Sequence, residues 1–169
     1  LELVKRLSET SSEPATYLLT CQTQTAARMV TAALVEDDAL RGVSAIQQMA
    51  PVDSPSGAKR FVEHWQPNAG IFAEGDIWPN LPLQLKKRDI PAALINARMT
   101  EKSINGWRRW SKTARRVIGS FDCIVAADLQ TKTGLEHLSG KPVSCPGNLK
   151  SALPVPSVDP STLETLQSI

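Results

Sequence analysis

The chain has 169 residues, of which 41% are hydrophobic and 21% are charged, and its formal net charge at pH 7 is +2. These values exclude a disordered or fibrous chain and predict a soluble globular domain with a sizeable core. So small a net charge does not by itself indicate a nucleic-acid partner. The cysteines, Cys21, Cys123 and Cys145, are widely spaced and form no CxxC pair, which indicates reduced thiols rather than a disulfide framework or a zinc site.

In chain order, apolar runs of strand character alternate with helical patterns. The first nine residues, LELVKRLSE, already have helical periodicity, so we expect an upstream strand to be missing. Strands are predicted at 15–21, 45–50, 69–74, 92–96, 123–128 and 142–146. Helices are predicted at 24–36, 54–65, 80–88, 100–118 and 130–138. This alternation predicts an α/β, Rossmann-like domain at residues 1–150, with a parallel sheet covered by helices on both faces.

Residues 151–169 differ in composition from the rest of the chain. Their first ten positions carry three prolines, and Asp159 with Pro160 predicts the start of a short helix. This pattern is typical of a linker towards a further domain.

Ligands of an open parallel sheet bind at the carboxyl ends of its strands, so the residues that follow each strand are the candidate site. Thr25, Asp53 and Asp128 individually favour an interpretation as helix caps. Glu74 and Arg98 are harder to explain in that way, because each follows an apolar strand closely and neither is a favoured capping residue. The remaining candidates are Thr23, Asp76, Asn96 and Lys150.

The stretch EGDIWPN at 74–80 resembles the ETE-(aliphatic)-WPN motif of the 3-deoxy-D-manno-octulosonate (Kdo) transferases. LINARMTEKSINGWRRW at 94–110 is similar to that family's NARxSxxSxxGYxR block. VDSPSGAKRFVEHWQP at 52–67, between the predicted strands 45–50 and 69–74, matches the family's segment there. PGNLK at 146–150 matches its GNLK. Gly75 and Asp76 stand where the family has Thr and Glu.

This resemblance implies the amino-terminal, acceptor-binding half of a two-domain glycosyltransferase of the GT-B type. Such an enzyme transfers Kdo from CMP-Kdo to a lipid A precursor at the cytoplasmic face of the bacterial inner membrane, without a cofactor or metal. The family's catalytic glutamate would lie upstream of Leu1, and the donor domain beyond residue 169. Glu74, Lys150 and Asp76 would then stabilise the transition state, while Asn96, Arg98, Thr23 and Asp53 would bind substrate. A Gly at position 75 would let the backbone turn tightly, and Trp78 with Pro79 would fix the start of the next helix.

The segment NGWRRWSKTARR combines cations with tryptophans. On one continuous helix the five cations fall within a 120° arc, and Trp107 and Trp110 fall on the apolar side with Ile104. The tryptophans are therefore predicted to lie in the core. The cations form either a plain solvated face or a surface attracted to an anionic lipid acceptor.

Two other functions are weighed against the transferase. A nucleotide-binding oxidoreductase is disfavoured, because neither GxGxxG nor GxxxxGK occurs. A non-catalytic α/β binding module diverged from the Kdo transferases remains open, because the acidic motif is altered.

Overall fold

The computed structural model describes residues 1–75 and 77–152, and of residues 39 and 152 the backbone only. The described chain falls into two compact units, Leu1–Gly70 with Ile77–Ala92, and a second made of residues 71–75 and 93–152. The short helix predicted from Asp159 lies outside the described residues.

The first unit contains a parallel pair of strands with helices. Its strands are β1 (Thr16–Cys21) and β2 (Ser44–Met49), paired in register from Thr16 opposite Ser44 to Cys21 opposite Met49. Its helices are α1 (Glu2–Thr10), α2 (Gln24–Glu36), α3 (Pro55–Trp65) and α4 (Asn80–Lys86), and Asp38–Leu40 forms a 3-10 turn. The helix predicted at the start of the chain is therefore confirmed.

The second unit contains β3 (Gly70–Ala73) and β4 (Ala92–Ala97), except that Gly70 and Ala92 belong to the first unit. The two strands are neighbours in a sheet of order β3-β4-β5. Strand β5 (Cys123–Ala126) runs parallel to β4. The helices are α5 (Glu101–Arg108), α6 (Ser111–Ile118) and α7 (Leu129–Ser139), and Leu149–Ala152 forms a 3-10 turn. Fully buried Leu94, Ile118, Phe121 and Leu135 form the centre of its core.

The fold is α/β, with parallel sheets flanked by helices, and the predicted Rossmann-like class is confirmed. The alternation predicts most elements to within two residues at each end. Strands of a parallel sheet need crossover connections, and the helices between β1 and β2 and between β4 and β5 provide them.

The sixth predicted strand, at 142–146, is reduced to a single parallel bridge between Val125 and Ser144. Ser144 donates its N–H to Ile124 O and accepts from Ala126 N. Pro142 and Pro146 stand on either side of this bridge. Because proline has no N–H to donate, the ladder does not extend beyond Ser144.

The single helix predicted at 100–118 is wrong, because α5 ends at Arg108 and α6 begins at Ser111. Trp110 leaves helical geometry at φ −118° and ψ 50°, and its N–H donates to Trp107 O, which closes a four-residue turn. The break changes the angular phase of the two halves, so positions that share one face of a continuous helix no longer do so. The prediction that Trp110 lies in the core is wrong as well, since its side chain is 72% exposed.

Candidate functional site

The loop after β3 holds Glu74 in an uncommon backbone conformation. Its φ is +67°, in the left-handed region that costs a residue with a Cβ about 1–2 kcal/mol. The Glu74 N–H donates to Ile95 O of β4 at 3.1 Å, so the sheet holds the backbone in place while the side chain stays outside it. Asp76, the other acidic candidate of this motif, lies outside the described residues.

Gly75 is required for space. A Cβ at this position would lie 2.5 Å from the carbonyl oxygen of Arg98, closer than real Cβ atoms come to a backbone oxygen. The glycine therefore lets the loop after β3 pass directly over the backbone that follows β4. The sequence predicts that Gly75 provides the turn, but the left-handed residue is Glu74.

The Glu74 carboxylate forms an ion pair with Lys150, whose Nζ lies 2.7 Å from Oε1. The side chains of Glu74 and Lys150 are 49% and 67% exposed. Ion pairs this exposed contribute roughly 0–1 kcal/mol to stability. The pair is thus a poor stabiliser of the fold, and both charged groups are open to a ligand.

Two further predicted residues lie beside this pair, at the end of β4. Asn96 is buried, at 5% exposure, and its Oδ1 accepts the N–H of Leu149 at 2.9 Å. Arg98 is exposed, and its carbonyl is the group that Gly75 approaches. The structure therefore gathers Glu74, Lys150, Asn96 and Arg98 at one place, as predicted from the carboxyl ends of the strands.

Thr23 and Asp53, the remaining predicted residues, belong to the first unit, and each accepts hydrogen bonds at the start of a helix. Thr23 caps α2, its Oγ1 accepting the N–H of Ala26 at 3.2 Å. Asp53 accepts two hydrogen bonds from Asn80 at the start of α4, one from the backbone N–H to Oδ1 at 2.9 Å and one from Nδ2 to Oδ2 at 3.1 Å. Both side chains thus satisfy donors that a helix start leaves unpaired.

The second half of the EGDIWPN motif also has a structural task. Pro79 immediately precedes α4 with φ −66° and ψ −36°, so its ring fixes the backbone as the helix begins. Asn80 is the partner of Asp53, which sequence reasoning missed although both residues follow strands. Trp78 is 48% exposed, so it is only partly packed at this helix start.

The predicted caps have different outcomes. Asp128 caps α7, its Oδ1 accepting the N–H of Thr131 at 2.7 Å, as expected. Thr25 was expected to cap a helix, but it lies inside α2 and Thr23 is the cap.

No group of three or more His, Cys, Asp or Glu side chains within residues 1–75 and 77–152 is placed to hold a metal ion. None of the helices in the same ranges is long and apolar enough to cross a membrane. Among the described residues at the ends of β3 and β4 and in the Leu149–Ala152 turn, the exposed charged side chains are those of Glu74, Arg98 and Lys150.

Comparison with known proteins agrees with these observations. A model of the 3-Deoxy-D-manno-octulosonic-acid transferase (kdotransferase) family matches residues 1–153. A probable mitochondrial 3-deoxy-D-manno-octulosonic acid transferase of Arabidopsis thaliana is 32% identical over 136 residues, which cover 75% of this chain and 29% of that protein. The 3-deoxy-D-manno-octulosonic acid transferase of Rickettsia felis is 27% identical over 152 residues, covering 90% of this chain and 31% of that protein.

The Haemophilus influenzae transferase of the same name is 30% identical over 112 residues, covering 66% of this chain and 24% of that protein. The chain thus spans about a third or less of the length of the curated relatives it matches. The family match extends over all of the described residues, including Glu74 and the turn that carries Lys150. The chain therefore belongs to the 3-deoxy-D-manno-octulosonic-acid transferase family.

Proposed function

We propose that this chain is the acceptor-binding part of a glycosyltransferase that transfers Kdo from CMP-Kdo to a hydroxyl group of a lipid A precursor in lipopolysaccharide synthesis. The observation that carries the proposal is the exposed Glu74–Lys150 pair at the strand ends of a chain that belongs to this family. The pair has little value for stability, and its position is the one at which open parallel sheets bind ligands.

The reaction explains why a carboxylate is held there. Breaking the bond from Kdo to CMP develops positive charge at the anomeric carbon, and a fixed anion stabilises that charge without having to reorganise. Glu74 supplies such an anion, because the sheet holds its backbone N–H and its carboxylate pairs with Lys150. Asp76 is the second acidic candidate for the same role.

The cations complement the negative groups of the substrates. Lys150 pairs with Glu74, and Arg98 is exposed just after β4, so both cations would attract the phosphate and carboxylate groups of CMP-Kdo or of the acceptor. Substrate binding by Thr23, Asp53 and Asn96 stays a prediction. Each of these side chains already accepts a backbone N–H, so we assign the first contacts with substrate to Arg98 and Lys150.

The acceptor is a lipid, and we propose that the surface around α5 and α6 faces the cytoplasmic leaflet of the inner membrane. Trp110 is 72% exposed in the break between these helices. Exposed cations surround it in sequence, namely Arg108, Arg109, Lys112, Arg115 and Arg116. Tryptophan is favoured at the membrane–water interface, and each cation near an anionic leaflet contributes about 1 kcal/mol of attraction.

Vesicle sedimentation tests this surface. The chain is expected to sediment with vesicles that contain anionic lipid and not with neutral ones, and added salt weakens the attraction. Replacing Arg109, Lys112 and Arg116 by Gln should release the chain, whereas replacing Lys59 of α3 by Gln should not. Equal sedimentation of both variants with anionic vesicles would show that the surface has no such role.

A transfer assay tests the function itself. The complete polypeptide encoded by the gene is expected to convert CMP-Kdo and a lipid A precursor into the Kdo-bearing lipid, detected by mass spectrometry. We expect the 169-residue chain alone to make no product, because we place the catalytic base and the donor domain in other parts of the protein. Failure of the complete polypeptide to transfer Kdo contradicts the proposal, and transfer by the chain alone contradicts the division of roles.

A further inference from the structure

Asn96 has two unusual properties at once. It lies in β4 with φ +48°, at a point where the pairing of β4 with β5 shifts register between Leu94 and Ala97. Its side chain is buried, and Oδ1 accepts the N–H of Leu149 at 2.9 Å. Asparagine and aspartate tolerate this conformation better than other residues with a Cβ, and each also has an acceptor oxygen of the right length.

The hydrogen bond from Leu149 fixes the turn that carries Lys150. Gly147, at φ +112°, redirects the chain, and Asn148 Oδ1 then accepts the N–H of Lys150 at 3.1 Å. The N–H of Ser151 donates to Asn148 O at 2.9 Å. These bonds shape the turn internally, whereas the bond to Asn96 attaches it to the sheet.

The Lys150 side chain needs such an attachment. It is 67% exposed, so packing does little to restrict its ammonium group. An exposed ion pair is too weak to hold a free loop in place on its own. The position of the Lys150 backbone, adjacent to the attached Leu149, therefore decides whether Nζ reaches Glu74.

We infer that Asn96 is a positioning residue, which attaches the Leu149–Ala152 turn to β4 and so keeps Lys150 paired with Glu74. The sequence predicts that Asn96 binds substrate directly. The inferred role is indirect, because the buried Oδ1 binds Leu149 and thereby places the neighbouring Lys150. The relevance of the pair to Kdo transfer rests on the proposed function. The positioning itself does not, and it is measured without substrate.

The test measures how fast Lys150 is acetylated in the 169-residue chain, using limiting acetic anhydride and mass spectrometry. Glu74→Gln removes the partner and sets the rate for an unpaired Lys150. Asn96→Gly tolerates the left-handed backbone but removes the acceptor oxygen, and Leu149→Pro removes the donor from the other side. Both should raise the Lys150 rate towards that of Glu74→Gln, which an exposed ion pair worth up to about 1 kcal/mol places at most about five-fold above the original rate.

Matched controls separate positioning from a general loss of structure. Asn96→Asp keeps an acceptor and tolerates the same conformation, and Leu149→Ala keeps the donor, so both should leave the Lys150 rate within about two-fold of the original. The rate for Lys132 in α7 of the same unit should stay constant in every folded variant. Hydrogen exchange at Leu149 should become faster in Asn96→Gly.

An unchanged Lys150 rate in both Asn96→Gly and Leu149→Pro, with Lys132 constant, would overturn the inference. So would an unchanged rate in Glu74→Gln, since the pair would then not persist in solution. If Asn96→Gly alone unfolds, Leu149→Pro and Leu149→Ala decide the matter. A failure of Kdo transfer leaves these rates untouched, so the two proposals fail separately.

Discussion

The loops that follow β2 and β3 each carry an acidic residue, and they use it in different ways. In the loop after β2, Asp53 is half-buried and its two carboxylate oxygens accept hydrogen bonds from Asn80. In the loop after β3, Glu74 is exposed, has φ +67°, and pairs with the long, exposed side chain of Lys150. The first carboxylate completes a helix start, and the second is held out to solvent.

The difference shows how a structural acid is distinguished from a candidate catalytic one. Asp53 satisfies backbone and side-chain donors that would otherwise lack partners, so its contacts stabilise the fold. Glu74 adopts an unfavourable backbone conformation, and its side chain gains only an exposed ion pair in return. An unfavourable backbone conformation whose side chain contributes little to the fold is typical of functional sites.

The largest expected effect is on the reaction. In the complete polypeptide, Glu74→Gln should lower the rate of Kdo transfer roughly 100- to 1,000-fold, about 2.7–4 kcal/mol, because the anion beside the developing positive charge is lost. Acceptor binding and the free energy of unfolding should change little. Steady-state kinetics with separate kcat and KM values test this.

The comparison variant for that experiment is Asp76→Asn. Normal turnover in Glu74→Gln together with lost turnover in Asp76→Asn would transfer the role to Asp76. Normal turnover in both would leave the EGDIWPN motif as a strand-to-helix corner, much like the one at Asp53.

Gly75→Ala should give the next largest effect. The added Cβ would lie 2.5 Å from Arg98 O, and relieving that overlap should cost about 1–3 kcal/mol of unfolding free energy. Gly106→Ala in α5 is the control, because a Cβ there meets nothing within 4 Å, and the change should be neutral or stabilising. Urea denaturation of both variants tests the pair, and equal stabilities would mean that the Glu74 loop is not closely packed.

Asp53→Ala should lower the free energy of unfolding by about 1–2 kcal/mol, since the start of α4 loses its acceptor. Asp38→Ala removes an exposed ion pair with Arg41 in the same unit and should change the stability by less than about 0.5 kcal/mol. Thermal or urea unfolding provides the measurement. Equal losses of stability in Asp53→Ala and Asp38→Ala would show that the hydrogen bonds of Asp53 contribute no more than an exposed ion pair. The contrast between Asp53 and the exposed pair at Glu74 would then be lost.

The smallest effect is expected from Glu74→Gly compared with Glu74→Gln. Both lose the ion pair, but glycine also relieves the left-handed conformation while losing more chain entropy on folding. The net result should be a gain of about 0.5 kcal/mol for glycine over glutamine. A glycine variant less stable than the glutamine variant would show that Glu74 is not strained.

The sequence predicts much of this arrangement, because hydrophobic periodicity places the strands and the strand ends place Glu74, Asn96 and Arg98. It also predicts the proximity of Lys150, because this residue follows the last predicted strand. It does not predict the pairing of Asp53 with Asn80, which depends on the spatial approach of residues far apart in the chain. Nor does it predict the break at Trp110, because the helical pattern of apolar residues continues across it.

The attachment of Leu149 to Asn96 joins residues 53 positions apart, which has a consequence for the order of events during synthesis. At about 5–20 residues per second, the ribosome adds the donor roughly 3–10 seconds after the acceptor. Strand β4 and its neighbour β3 are by then available to pair, whereas Glu74 still lacks its cation. We therefore expect the sheet to form first and the charged corner to close last, so that a nascent chain with an ordered core still has an incomplete site.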